Sequence, residues 1–263
     1  MRQERNSELT GLGLRPLSAR SVVASVLMAT HPPVLPAAVL VRLCERFGIA
    51  TGTTRVALSR MVAAGELSAV DGGHRLAGAA LLARQRAQDE ARTPPGPSWD
   101  GDWRVAVVVS GGRLATERAE LRRGLATARF GEWREGVWLR PTNLPAPEIG
   151  GEACRWLRAR PEEDPAELAA RLWDLAAWGR RGRELVEATD PEPGDLRAGD
   201  PGRPVLVFTA AAALLRHLRT DPLLPAELLP GGWPGDELRA RYSSHERSIQ
   251  ELIRDLARDG SSG

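Results

Sequence analysis

The stretch TGTTRVALSRMVAAGEL, residues 51–67, decides the fold. Thr54, Leu58, Met61 and Val62 recur at helical spacing, which predicts a helix over about 52–64 with one apolar side, closed by Gly65. The chain then alternates: Leu67, Ala69, Val70 and Leu76 flank Asp71-Gly72-Gly73, the composition of a hairpin turn. A one-sided helix running into a short hairpin is the pattern of a recognition helix and its wing. It points to DNA as the partner and away from catalysis.

Upstream, residues 18–31 carry apolar positions at 22, 23, 26 and 27 and read as a helix opened by Ser18 and ended by Pro32-Pro33. Residues 36–47 read as a second helix, with Val39, Leu40, Leu43, Cys44 and Phe47 on one side and Gly48 as its stop. A fourth helix is expected over about 78–92. The N-terminal part is therefore expected to be a winged helix-turn-helix over 18–92, preceded by a loose polar tail at 1–17.

Charge supports that placement. The whole chain of 263 residues has a net charge of only +2, but it is not evenly spread. Residues 1–98 hold 12 Arg against 7 acids, or +5, and residues 99–263 hold 24 Arg against 27 acids, or −3. A basic first third meeting a polyanion is the direct reading. All 36 basic residues are Arg, which composition bias toward Ala, Arg, Gly and Pro explains without a functional cause.

The segment TPPGPS, 93–98, reads as a linker. Beyond it, WRVAVVVS (103–110), GVWLRP (136–141) and ACRWLRARP (153–161) read as strands, and 114–127 and 165–178 as helices. A β-α-β unit followed by β-α predicts a ferredoxin-like domain over 99–180. Residues 181–263 open on the Pro/Gly/Asp-rich loop 190–204 and continue as short helices with a final helix at 238–258. The fold class expected is α+β in three domains, the last one helical.

Three blocks carry a family resemblance: FGI…TRVALSRMVAAGEL (47–67), WDGDWRVAVVVS (99–110) with GVWLRP (136–141), and DPLLPAELLPGGWPGDELR (221–239). In sequence and order they resemble the PaaX family of bacterial transcriptional repressors of phenylacetate and related aromatic catabolism. The third block is the most specific, because its repeated Pro and Trp-Pro-Gly have no generic structural reading. The resemblance implies a winged helix, a ferredoxin-like central domain, a helical C-terminal domain associated with dimerisation, and release from DNA by an aryl-CoA thioester. One departure stands out. Relatives usually have Ser before the recognition helix, where this chain has Ala50-Thr51-Gly52. Thr51 is expected to cap in its place, and Gly52 to loosen the first turn.

The residues expected to meet DNA are Thr51, Thr53, Arg55, Ser59 and Arg60 on the outer side of the helix, with His74 and Arg75 from the wing turn. Arg55 has the fork geometry for a guanine edge, and the Thr hydroxyls and methyls suit base edges. Ser59 and Arg60 suit phosphate, and Arg75 suits phosphate or the minor groove. Two copies about a two-fold axis would read a palindromic operator. The stripe Ile249, Leu252, Ile253 and Leu256 fits either an intra-chain or an inter-chain contact.

Seven of the eight Trp residues lie between 99 and 178. They suit packing, or an aromatic wall for an aryl effector. In the second case Trp103 and Trp138 would line it, and Arg104 and Arg140 would meet the phosphates of a CoA group. No enzyme constellation is present. The four His are scattered, no phosphate loop or nucleophile elbow appears, and no metal or cofactor is expected. The central domain is similar to that of a small CRISPR-associated metal-dependent nuclease. Ser110 stands where such a site needs an Asp, so a divergent nuclease is the weaker alternative, along with a regulator of another pathway. Cys44 and Cys154 lack Cys or His neighbours and read as buried thiols. With no 18-residue apolar run and no secretory h-region, a cytoplasmic protein without a membrane span is expected.

Overall fold

The structure is a computed structural model, described here for residues 17–93, 99–109, 115–197 and 202–259. Most of the expected tail, most of the linker and Ser110 lie outside those residues. The protein is α+β. Its chain divides into two compact units. One runs to Arg92 and adds Glu184–Arg219 and the chain from Glu237 onward. The other holds Thr93–Arg183 and Thr220–Asp236. The expected separate C-terminal domain is thus shared between the two units.

In the first unit, α1 (Ala19–Ala29) opens on Ser18, whose hydroxyl accepts from the Ser21 N–H while Ser21 reaches back to the Ser18 N–H. After β1 (Val34–Leu35) come α2 (Ala37–Arg46) and α3 (Thr51–Ala63). Both helices end in the same way. Gly48 and Gly65 take left-handed backbone angles, φ 73° and 69°. The following N–H groups, of Ile49 and Glu66, then donate back to the Cys44 and Met61 carbonyls at 2.9 Å. α3 packs on both α1 and α2. The core there is built from Val22, Val23, Leu27, Leu40, Leu43 and Met61, with Thr54 and Leu58 also buried. Val62 is only half-buried.

Two details differ from the sequence reading. Ala50 is the residue that opens α3, with no side-chain cap, and Thr51 is already inside the helix. Its hydroxyl donates instead to the Glu45 carboxylate. The hairpin strands β2 (Leu67–Val70) and β3 (Gly73–Leu76) are joined by β1 into one antiparallel sheet of order β1-β3-β2. A two-residue strand is too short for any periodicity to reveal. It makes β3 the central strand, with Val34 paired to Arg75 and Leu35 to His74.

α4 (Ala79–Arg92) follows, and later α8 (Arg203–Leu218) and α9 (Gly235–Arg258) join the same unit. Two amides tie these helices to α1: the buried Gln85 donates to the Met28 carbonyl at 3.1 Å and the half-buried Gln250 to the Ala29 carbonyl at 2.7 Å. Ile249, Leu252, Ile253 and Leu256 are all buried within the chain. The apolar stripe of the last helix is therefore spent on intra-chain packing. α8 is a long helix where short ones were expected, and α9 covers the final helix expected at 238–258.

The second unit is built on a four-stranded antiparallel sheet: β4 (Trp103–Val108), β5 (Gly131–Arg134), β6 (Val137–Pro141) and β7 (Cys154–Ala159), ordered β5-β6-β4-β7. β5 was not anticipated, because GEWR has no alternation to mark it. Period-two alternation divides the side chains between two faces. Trp103, Val105 and Leu139 lie on one, covered by Leu168 and Ala169 of α6 (Pro165–Leu172). Ala106 and Trp138 lie on the other, covered by Leu125 of α5 (Ala115–Thr127) and by Phe130.

The helix placement differs from the ferredoxin-like expectation. Between β6 and β7 there is one 3-10 turn, Gly151–Ala153, and no α-helix. α6 comes after the fourth strand, and the helix expected over 165–178 is interrupted. α6 stops at Trp173, which is extended, and α7 (Leu175–Glu187) begins afresh. Asp164 caps α6, accepting from the Ala166 and Glu167 N–H groups at 2.9 and 3.0 Å.

Candidate nucleic-acid interface

The outer face of α3 is the one exposed helix face that the sequence reading singled out. Thr53, Arg55, Ser59 and Arg60 are exposed on it, and Thr51 is half-buried at its start. Arg55 and Ser59 are one turn apart, so their side chains rise side by side from the same face. Val56, 51% exposed, stands beside Arg55 on this face. Sequence reasoning missed it, since a Val in a helix is ordinarily assigned to the core. Its signal was its phase: it falls outside the Thr54–Leu58–Met61 side. An exposed apolar group between polar ones suits a thymine methyl.

Thr51 is less available than its neighbours, because its hydroxyl is held by Glu45. Arg20 was also missed. It is exposed at the first turn of α1 and forms a two-pronged pair with Glu66, its Nε donating at 2.9 Å. That contact holds the Glu66 carboxyl below its ordinary range, chiefly through the hydrogen bond from Arg20. It ties α1 to the end of α3 from the solvent side.

His74 and Arg75 are not in the turn, which is Asp71-Gly72; both lie in the central strand β3. Neighbours in a strand point to opposite faces. Arg75 is exposed, whereas His74 is half-buried, with an Nδ1 that is buried and without a hydrogen-bond partner. The two side chains do not serve one surface.

The four residues suggested for an effector are largely taken up by packing. Trp103 is 0% exposed, stacked on Trp173 at 6.4 Å and met edge-on by Trp99 at 5.9 Å. Trp138 is 6% exposed. Arg140 is buried over the Phe130 ring, with its guanidinium donating to the carbonyls of Ala128 at 2.7 Å, Leu144 and Pro145. Burial, and then the charge of Arg104, bring Arg140 down to about 10. Arg104 is half-buried on β4, opposite Arg140 and Arg158.

Two motifs that carried the family resemblance have structural work. In WDGDW, the Trp99 indole N–H donates to the Asp102 carbonyl at 2.7 Å, while Arg158 bridges Asp100 and Asp102 and Arg160 pairs with Asp102, each at 2.9 Å. This clasps the start of β4 to the end of β7. In DPLLP, the buried Asp221 accepts from the Leu223 N–H at 2.9 Å, and Asn143 donates to the Leu223 carbonyl at 2.8 Å. Leu224 and Leu228 then enter the core beside Trp103. Trp233 stacks on Trp178 at 4.3 Å.

Cys44 and Cys154 are buried thiols not joined in a disulfide, and burial raises the Cys44 thiol. Among the described residues no group of three or more His, Cys, Asp or Glu is placed to hold a metal ion. Nor, among them, is any helix long and apolar enough to cross a membrane.

The architecture defines an α+β protein whose basic first unit displays an exposed, polar helix face beside a small hairpin sheet. Three family descriptions match the chain in order: PaaX-like protein over residues 18–80, PaaX protein central Cas2-like domain over 96–149, and PaaX-like protein C-terminal domain over 173–258. The chain belongs to the PaaX family. It is also similar to a solved structure, the uncharacterized protein Rv0674 from Mycobacterium tuberculosis, at 45% identity and a TM-score of 0.74. That match covers 91% of this chain and 99% of the other. Among curated proteins, none matches the chain.

Proposed function

We propose that this protein is a sequence-specific DNA-binding regulator of transcription, a repressor of an aromatic catabolic pathway that leaves its operator when an aryl-CoA thioester accumulates. Membership of the PaaX family supports a transcriptional regulator and agrees with a non-enzymatic role. The observation that carries the reading is the exposed face of α3, with Arg55, Val56, Ser59 and Arg60 standing clear of the buried Thr54, Leu58 and Met61.

In this reading α1–α3 and the β1-β3-β2 sheet form a winged helix-turn-helix. α3 enters the major groove, with Thr53 and Arg55 at base edges and Ser59 and Arg60 at phosphates. Arg75 on β3 supplies a further phosphate contact. Thr51 acts through Glu45 at the edge of this surface, and His74 supports the hairpin. The second unit has the strand order of a ferredoxin-like sheet and serves as a scaffold. Two copies bind a palindrome as a homodimer in the cytoplasm. Because the last helix buries its apolar stripe within the chain, the dimer contact lies on another surface.

A gel shift of the purified protein against the DNA upstream of its own gene, with and without aryl-CoA thioesters, tests this. A retarded complex that the thioester dissolves is expected. No complex with that DNA at micromolar protein would sink the reading.

A further inference from the structure

The first unit holds a cavity of about 290 Å³, walled by α1, α4, α8 and α9. Val26 of α1, Phe208, Ala211 and Leu215 of α8, and Ile249 of α9 give it an apolar lining. The glutamines on these helices are unequally used. Gln85 of α4 and Gln250 of α9 donate to the Met28 and Ala29 carbonyls. Gln88, nearly one turn beyond Gln85 on α4, lines the cavity and is only 5% exposed. Its amide has no hydrogen-bond partner among the described residues. On the α9 wall the carboxylate is already engaged: Glu246 pairs with Arg92 at 3.1 Å and accepts from the Tyr242 hydroxyl at 3.1 Å. A buried amide without a partner costs free energy, and native folds carry few of them. Gln88 lacks a partner from the fold at the one place where a molecule inside the cavity can supply it.

We propose that this cavity binds a compact neutral molecule with an apolar body and a primary carboxamide or lactam group, which pairs with Gln88. The Gln88 side chain offers a carbonyl acceptor and an NH2 donor on one planar group. A ligand amide whose N–H and C=O lie on the same edge closes a cyclic pair with it, an N–H donating to a carbonyl in each direction. An ionised carboxylate only accepts, so it leaves the Gln88 carbonyl unpaired, and an N,N-dimethyl amide fails in the same way. The volume sits at the low end of ligand-sized pockets, which suits an aryl or short alkyl body. The site stands without the regulatory reading, but its consequence rests on it. Val26 and Ala29 line the cavity from α1, which also packs on α3. A ligand that prefers one setting of α1 then biases the DNA-reading helix by its differential affinity for the two states.

The test is calorimetric titration of the full chain with 3-phenylpropanamide and octanamide, their N,N-dimethyl amides, and the matching carboxylates. The primary amides are expected to bind saturably, with the dimethyl amides and carboxylates about tenfold weaker or more. Gln88→Leu removes the buried amide and keeps the bulk, so primary and dimethyl amides should then bind alike. Ala212→Phe, which fills the cavity wall, should abolish binding of the primary amides. Hydrogen exchange on the wild-type chain gives a readout independent of any variant's folding: slowing on addition of a primary amide is expected in 84–91, 208–216 and 242–250. Carboxylates that bind as well as the amides, or a preference for primary amides that persists in Gln88→Leu, overturn the proposal. So does a wild-type chain that takes up no amide, since water alone would then serve Gln88. If the amides bind but the chain ignores its upstream DNA, the site stands and the regulatory reading fails. If DNA binds and no amide does, the reverse holds.

Discussion

Arg55 is the residue on which base reading turns. Its guanidinium is exposed on the first half of α3, the part of a recognition helix that approaches base edges. Arg55→Ala is expected to lower affinity for the cognate site by ~1–3 kcal/mol and to relax preference at one base pair. An anisotropy titration over a set of single-base variants would show this, and an unchanged preference would remove Arg55 from the bases. His245 has a separate consequence. It is 1% exposed and its Nδ1–H donates to the Arg241 carbonyl at 2.9 Å. Burial holds its folded pKa below 6.5. The folded state therefore binds the proton less readily than the unfolded chain. Its contribution to stability is full above about 6.5 and is lost as pH falls through the lower folded value. His245→Asn keeps a donor without the titration, so melting curves should show a smaller drop in Tm between pH 7 and pH 5 than the wild type. Parallel drops would contradict the assignment.

At the scale of elements, the hairpin and the central sheet carry distinct tests. A Cβ on Gly73 would stand 2.1 Å from the Leu35 carbonyl oxygen, and its φ is 143°. β1 can lie against β3 only because that position is glycine. Gly73→Ala is expected to destabilise the first unit by about 2 kcal/mol or more, read by denaturant unfolding. Arg140→Met should cost on the order of 1–3 kcal/mol, because it strips three partly buried carbonyls of their donor. A small loss would mean that water replaces the guanidinium.

The same elements show what the sequence made legible. α3 and its closing Gly65 were plain, because one apolar side and a left-handed stop leave a local signature. β1 and β5 were not. Two residues and an unalternating GEWR gain their strand character from partners distant in the chain. The break at Trp173 was missed because Trp fits a helical period, whereas in the fold its backbone is extended and its ring stacks on Trp103. The DPLLP and WPG segment named the family but hid its role. Its work is to deliver Leu224 and Leu228 to a core assembled from residues as far back as Trp103 and as near as Leu175.

For the whole molecule, the division of charge matches the division of labour. The first 98 residues carry +5 and hold the exposed face of α3, and the acidic remainder supplies the central sheet and the long helices. Trp103, Trp138 and Arg140, suggested for an effector, are taken up by packing. The central claim is that this protein reads a DNA sequence, and one measurement addresses it. The intact chain is titrated, at several salt concentrations, against the duplex upstream of its own gene and against a scrambled duplex of equal length. The account predicts a preference of roughly a thousandfold or more for the upstream duplex at physiological salt. It also predicts a log–log salt slope that becomes shallower in Arg75→Ala. Equal affinity for the two duplexes would contradict it.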